Sequence, residues 1–253
     1  MKAKLNLLQT LIFRDITLRF KQTIGGFAWA LIQPVMFMVV FSLFFGRVLK
    51  VDTLGIPYPV FSYTALLPWT LFTVGLQKAS NSLVTDQILV TKMKFPIMLL
   101  PLSAVLSQLI DFLIAFLVLA AMMLYFHIGI GIAILACVYF LTICIVLAFG
   151  IGLWLSAINI EFRDVSYALP FIIQLALFIS PVAYSSNMVS GGWFEYVYIL
   201  NPMTGVLEGF RWAVLGVSPH PVAFLSSTVI AIVVLITGIK FFQIRQPRFA
   251  DIV

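Results

Sequence analysis

Charge is the scarcest property of this sequence. Only 9% of its 253 residues are Asp, Glu, Lys or Arg, against 62% that are hydrophobic. A soluble chain of that composition has too little polar surface to cover itself. Cysteine is nearly absent as well. The two present, Cys137 and Cys144, sit in one apolar stretch. Their spacing puts them on one helix face two turns apart, too far to bond each other, so they are expected to be buried thiols. His127 and His220 are isolated, and no metal-ligand spacing exists.

Catalytic and energy-converting motifs are also missing. No G-x-x-x-x-G-K-[ST] occurs, so any ATP that drives this chain must bind another polypeptide. There is no G-x-S-x-G, no H-E-x-x-H and no acidic metal cluster, which argues against an enzyme. Asp111 is the main intramembrane acid and lies near one end of its apolar run. Glu208 and Arg211 are placed to pair across one helical turn. No proton-relay chain appears, which argues against an ion-coupled carrier. No cleavable signal peptide is expected, because residues 1–24 carry Lys2, Lys4, Arg14, Asp15, Arg19 and Lys21 without a continuous apolar core.

What is abundant is long apolar sequence. A span needs roughly 20 apolar residues. Six runs qualify: 27–48, 60–83, 102–126, 130–158, 166–184 and 222–242. The expected fold is all-α, a single polytopic membrane domain over 1–253. Gly150 and Gly152 would let span four approach a neighbour closely.

Residues 1–24 form an amphipathic helix on a helical wheel. Leu5, Leu8, Ile12, Ile16 and Phe20 share one face, with Thr10, Arg14, Thr17 and Lys21 opposite. Such a helix lies in the membrane interface or packs on protein in the cytosol. Residues 84–101 are the most polar internal stretch, and a short amphipathic helix is expected there, stopped before Pro96. Glu161, Arg163 and Asp164 mark a tight charged loop. Residues 185–221 are aromatic but broken at Asn201-Pro202. Two short helices re-entering the outer leaflet suit them, with Gly205 and Gly209 as a small-residue pair.

The cations orient this chain. With both termini cytosolic, eleven of the fifteen Lys and Arg residues fall in cytosolic segments. The net charge of +6 therefore signals orientation and contact with anionic membrane lipid rather than nucleic-acid binding. A separate motor would need a rigid handle on the cytosolic side. Asp86, Gln87, Lys92 and Lys94 are the first candidates, and Glu161, Arg163 and Asp164 the second. The alternative is that both are ordinary positive-inside loops.

The order of short motifs resembles the membrane subunit of ABC-2-type ABC transporters that export polyprenyl-diphosphate-linked O-antigen. The resemblance runs over essentially the whole chain. Arg14-Asp15 through Arg19-Phe20-Lys21-Gln22-Thr23, Gly26, Trp29-Ala30 and Gln33-Pro34 look like the family's interfacial helix and first span. Leu67-Pro68-Trp69 with Phe72, Lys92 to Lys94-Phe95-Pro96, Leu100-Pro101 and Phe162-Arg163-Asp164 follow in family order. So do Ser180-Pro181-Val182-Ala183-Tyr184, Leu200-Asn201-Pro202-Met203, Phe210-Arg211 and the terminal Phe249-Ala250-Asp251-Ile252-Val253.

The resemblance implies a homodimer in the bacterial inner membrane, with two ATPase subunits that hold ATP and Mg. This chain would itself bind no cofactor. It also implies that 84–101 couples to the ATPase and that 185–221 forms a periplasmic gate. The substrate diphosphate would then sit near Arg14, Arg19 and Lys21, for which lipid-headgroup anchoring is the alternative. Tyr63, Trp69, Tyr184, Asn201 and Arg211 become candidates for pore or gate. Teichoic acid or capsule export, small-molecule export by the same fold, and an ATP-independent flippase remain the competing functions.

Overall fold

In the computed structural model, the described residues are 2–21, 28–92, 95–129, 131–185, 192–218 and 220–249. Gln22, Thr23, Gly26, Lys94 and residues 250–253 lie outside them, and Arg19, Lys21 and Lys92 are described as backbone only. Among the described residues the regular structure is entirely helical.

The elements are α1 (Lys2–Lys21), α2 (Ala28–Phe41), α3 (Tyr58–Thr85), α4 (Gln87–Lys92), α5 (Leu99–Leu106), α6 (Gln108–Tyr125), α7 (Ala136–Asn159), α8 (Asp164–Ile179), α9 (Trp193–Leu200), α10 (Pro202–Leu215) and α11 (Pro221–Arg245). A π-helical turn, Ser42–Val48, extends α2, and a 3-10 turn, Ile132–Leu135, leads into α7.

Five stretches are long and apolar enough to cross a bilayer: Leu31–Val48, Tyr58–Thr85, Leu99–Tyr125, Ile132–Asn159 and Pro221–Arg248. The remaining expected span is shorter than the sequence suggests. It is α8, 16 residues, about 24 Å at 1.5 Å per residue, against the roughly 30 Å of a bilayer core. The cause is Pro181. The residue before a proline is pushed out of the helical region, and Ser180 is extended at φ −88°, ψ 144°.

Expected span three is also divided, at Ser107 between α5 and α6. Ser107 Oγ and Gln108 Nε2 both donate to the Ala104 carbonyl, at 3.0 and 3.2 Å. Such side-chain bonds compete with the helix ladder.

The long helix α3 is the axis of the bundle. Pro57 precedes it and Pro59 sits in its first turn, where a missing N–H costs nothing. It touches α2, α5, α6, α7, α8 and α10 and is buried along most of its length. Around it α7 and α11 cross where Gly150 meets Gly238. A Cβ on Gly150 would stand 3.0 Å from the Leu235 backbone. Small residues at such a crossing replace the hydrophobic driving force that lipid removes.

The outer surface is strongly apolar. On α8 only Leu169 is buried, while Tyr167, Phe171, Ile172, Leu175, Phe178 and Ile179 are exposed. On α11 Val222, Leu225, Val229, Ile232, Val233 and Ile236 are exposed. Patches of this size in water would drive association. In a bilayer they are the faces that meet lipid or another membrane helix, and the chain is an integral membrane protein.

A second, smaller core lies at the end of the bundle where α3 finishes. Leu11 of α1, Leu83, Val90 of α4, Leu100 of α5, Leu153, Ala157 and Ile160 meet there. Phe242 and Phe249 close it, edge to face at 5.2 Å. The cluster thus ties the N-terminal helix, the segment after α3 and the C-terminal turn into one unit.

Candidate functional site

Two polar knots mark opposite ends of α3, a helix of 28 residues. The first surrounds Tyr58 and Phe61. The chain from Ser180 to Ser185 is non-helical and buried, which leaves its carbonyls in need of donors. Arg211 of α10 supplies most of them. Its Nη1 donates to Pro181 O at 2.6 Å and to Tyr184 O at 3.0 Å, and its Nη2 to Val182 O at 2.6 Å. Tyr58 Oη donates to Ala183 O at 2.7 Å. The guanidinium lies 3.7 Å from the Phe61 ring centroid and is 2% exposed. The forked, planar cation spreads its donors over all three carbonyls and, through Nε, reaches Phe61 O at 3.4 Å.

Glu208 sits one turn before Arg211 and balances its charge. It accepts from Tyr198 Oη and, at 2.9 Å, from the His220 backbone N–H. Asn201 both caps α10, accepting from Met203 N at 3.0 Å, and donates to Ser180 Oγ at 2.9 Å. Pro202 follows at the first helical position. Tyr184 Oη donates to Ile179 O at 2.8 Å. Within 185–221 the described residues form two short helices, α9 and α10. Three separated motifs, Ser180-Pro181-Val182-Ala183-Tyr184, Asn201-Pro202 and Phe210-Arg211, form one contiguous structure.

The second knot lies where α3 ends. Asp86 breaks the helix at φ −104°, ψ 35°, and its carbonyl accepts from Leu89 N and Val90 N to start α4. Its carboxylate meets Arg14 of α1, with Arg14 Nη2 at 2.7 Å from Asp86 Oδ2. Arg14 Nη2 and Nε also hold Asp15 Oδ1, at 2.8 and 3.1 Å. Burial alone would lower the Arg14 pKa, but the hydrogen bonds to Asp86 and Asp15 outweigh it and raise the value.

The wheel for α1 is therefore rotated from the sequence expectation. Leu11 is buried, and Arg14 and Asp15 turn inward with it, while Leu5, Phe13 and Leu18 are exposed. The Leu11 contact with the small core, together with Asp86 and Asp15 beside Arg14, accompanies this rotation. On its outer side α1 lines an open groove of about 610 Å³ with Asn6, Gln9, Thr10, Phe13, Arg14, Thr17 and Leu18.

The loop after α7 is fixed separately. Glu161 is ion-paired with Arg245, whose guanidinium lies 4.8 Å from the Phe241 ring centroid. Phe241 in turn stacks on Trp154 at 4.2 Å. Asn159 Nδ2 donates to Ser80 O and to Asn81 Oδ1, both at 3.0 Å, and Ser166 Oγ donates to Asn81 Oδ1 at 2.6 Å. This cluster pins the start of α8 to α3 and α7. Arg163 and Asp164 remain exposed at the start of α8. Asp164 there is favoured by the helix dipole.

Among the candidate aromatics, Tyr63 and Trp69 lie inside the helix bundle of this chain. Tyr63 is fully buried and donates to Ala115 O at 3.2 Å; Trp69 is 6% exposed and packs on Phe72. Gln87 begins α4 half-buried beside Asp86. Among the described residues no three His, Cys, Asp or Glu side chains gather to hold a metal.

Sequence reasoning missed Tyr58, Asn81, Asn159, Ser166 and the partnership of Glu161 with Arg245. The available signal was Asn and Ser inside or beside otherwise apolar runs, where each needs a partner.

Among the described residues the fold is an all-helical membrane domain, with short helices at one end and a charged elbow and the N-terminal helix at the other. The chain belongs to the ABC-2 type transporter family, whose model matches residues 6–215. It is 25% identical over 253 residues to an O-antigen export system permease protein of Klebsiella pneumoniae, covering 98% of this chain and 95% of that one. A protein of the same description from Myxococcus xanthus is 27% identical over 257 residues, covering 97% and 94%. A polysialic acid transport protein of Escherichia coli is 24% identical over 243 residues, covering 94% and 93%.

Proposed function

We propose that this chain is the membrane-spanning subunit of an ATP-driven exporter that moves polyprenyl-diphosphate-linked O-antigen polysaccharide across the bacterial inner membrane. One observation carries the reading. Relatives of two different descriptions, O-antigen export and polysialic acid transport, match nearly the full length of the chain, and both cargoes are long glycans. The polysialic acid relatives favour capsule export as a second reading within the same cargo class.

In this proposal two copies of the chain pair, and two partner ATPase subunits supply ATP and Mg from the cytosolic side. The elbow at Asp86 and Gln87, the segment through Lys92 and Lys94, and the exposed Arg163 and Asp164 contact those ATPases. Glu161 braces the second contact from within through Arg245. Arg14, Arg19 and Lys21 stand on the helix that receives the diphosphate.

The knot of Arg211, Asn201 and Tyr184 frames the outer gate. Since Tyr63 and Trp69 are internal to one subunit, sugar-facing aromatics are drawn instead from the exposed faces of α2 and α8. Trp29, Phe37, Tyr167, Phe171 and Phe178 are outward there. On this reading α8 is the sixth span, covered by the second copy.

Deletion of the gene tests the function. The lipid-linked glycan is expected to accumulate in the cytosol and to disappear from the cell surface, with rescue only when a working partner ATPase is present. Unchanged surface glycan would overturn polysaccharide export and leave small-molecule export by the same fold.

The orientation has its own test. Cys137 and Cys144 are buried, so an impermeant maleimide is expected to leave the unmodified protein unlabelled. Ser218→Cys, at an exposed position after α10, is expected to label from outside. Asp164→Cys is expected to label only after permeabilisation. The opposite pattern would invert the topology.

A further inference from the structure

Arg14 belongs to two places at once. It lines the open groove on the outer side of α1, among Asn6, Gln9, Thr10 and Thr17. It also reaches inward to Asp86, the residue that ends α3 and starts α4, 72 positions along the chain. We propose that the Arg14–Asp86 ion pair is a ligand-exchangeable latch: it holds the elbow against α1 in the resting subunit, and a lipid-linked diphosphate entering the groove takes Arg14 and releases Asp86. This rests on the reading above, in which the elbow meets the ATPase and the groove meets the lipid diphosphate. It makes Arg14 a positioning residue that links the two.

Three features make exchange physically reasonable. The first is charge. One guanidinium faces two carboxylates, Asp15 and Asp86, so the triad carries one surplus negative charge while intact. Asp15 keeps Arg14 on α1 from the adjacent position, with Ser103 Oγ donating to its other oxygen at 3.4 Å. Asp86 is thus the partner free to leave.

The second is exposure. The Arg14 and Asp86 side chains are 30% and 20% exposed. Partly exposed pairs contribute little net free energy, whereas a diphosphate carries more charge and accepts the guanidinium fork in bidentate fashion. Nε and Nη2 make the carboxylate contacts, and Nη1 makes none among the described residues.

The third is leverage. The Asp86 backbone carbonyl accepts from the N–H groups of Leu89 and Val90, so a backbone shift at Asp86 that follows release of its carboxylate moves the start of α4. Leu89 and Val90 pack into the small core beside Leu11 and Leu100, which gives α4 a defined docked position to leave. Ile88 is 70% exposed on the outer side of α4.

The test is a spin-label distance between Leu5→Cys on α1 and Ile88→Cys on α4. Both positions are exposed and the native cysteines are buried. The full chain is placed in phosphatidylcholine nanodiscs. Undecaprenyl diphosphate is expected to add a second, longer distance, and Asp86→Asn is expected to show it without ligand. The double reversal Arg14→Asp with Asp86→Arg is expected to restore the short distance and abolish the response, because the cation now sits on the elbow. In the complex with its ATPase, Asp86→Asn is expected to raise basal hydrolysis, by up to about fivefold for a partly exposed pair, and to remove stimulation by undecaprenyl diphosphate.

An unchanged distance in Asp86→Asn would show that the pair does not hold the elbow. A response to phosphatidylglycerol equal to that with undecaprenyl diphosphate would replace the diphosphate by general anionic lipid. Either result overturns the latch. The distance needs neither glycan nor ATPase, so its failure leaves polysaccharide export, tested on the cell surface, standing or falling on its own.

Discussion

Arg211→Met is expected to destabilise the end of the bundle around the Ser180–Ser185 turn by about 3–5 kcal/mol, the range for removing one partner from a buried charge network. Four contributions add in the same direction. The carbonyls of Pro181, Val182 and Tyr184 lose their donors. Glu208, 5% exposed, loses the nearby positive charge. Thermal unfolding in detergent measures the loss.

Arg211→Lys is expected to recover only part of it. An ammonium keeps the charge, but its three donors sit on one nitrogen and do not span the reach of Nε, Nη1 and Nη2. Arg211→Met combined with Glu208→Gln is expected to cost less than the sum of the two single changes, since each alone strands the other's charge. Strict additivity would mean that the two groups do not balance each other. A wild-type melting temperature for Arg211→Met would show that the Ser180–Ser185 turn holds itself.

Gly209→Val is the second change with a large expected effect. A Cβ at Gly209 would overlap the ring of Phe140 on α7. The ring has nowhere to retreat. It is enclosed edge to face by Tyr139 at 5.2 Å, Phe224 at 5.3 Å and Trp212 at 6.5 Å. Overpacking of a filled core costs about 1–3 kcal/mol and sometimes more; here the upper part of the range is expected, because aromatic rings on α7, α10 and α11 must all shift. Phe140→Ala opens the space and is expected to restore much of the stability of Gly209→Val, although it destabilises the unmodified protein. A double variant no better than Gly209→Val alone would place the clash elsewhere.

Both predictions concern α10, which the sequence marks only weakly. The break at Asn201-Pro202, the small pair Gly205 and Gly209, and the possible pairing of Glu208 with Arg211 are all visible in the chain. Their purpose is not. Arg211 is spent on carbonyls of the turn that follows α8, 30 and 29 residues away for Pro181 and Val182. No local pattern encodes that choice, since any buried acceptor would satisfy a guanidinium equally well.

The same limit applies to α1. Its wheel offers an apolar face of Leu5, Leu8, Ile12 and Ile16, yet the structure buries Leu11, exposes Leu5, and half-buries Arg14 and Asp15 together with Leu8, Ile12 and Ile16. Asp86 and Ser103 decide that rotation, and both are remote in sequence.

The aromatic residues were equally ambiguous. A membrane helix is apolar on every side, so periodicity cannot separate the lipid-facing side from the protein-facing side. Tyr63 and Trp69 went to the core, while Tyr167 and Phe171 went to the surface.

By itself the sequence determined what depends on composition and on immediate neighbours. Low charge with long apolar runs set the membrane location, because a hydrocarbon core tolerates little else. Prolines, glycines and polar stretches set most helix ends, and the order of short motifs pointed to the family. Only the tertiary structure decided which charges meet. It joined Arg14 to Asp86, Glu161 to Arg245 and Arg211 to the turn after α8. Those choices follow from the path of the backbone, which brings distant groups together; for the buried Arg211 the low dielectric makes partners necessary, whereas the Arg14 and Arg245 pairs are partly exposed.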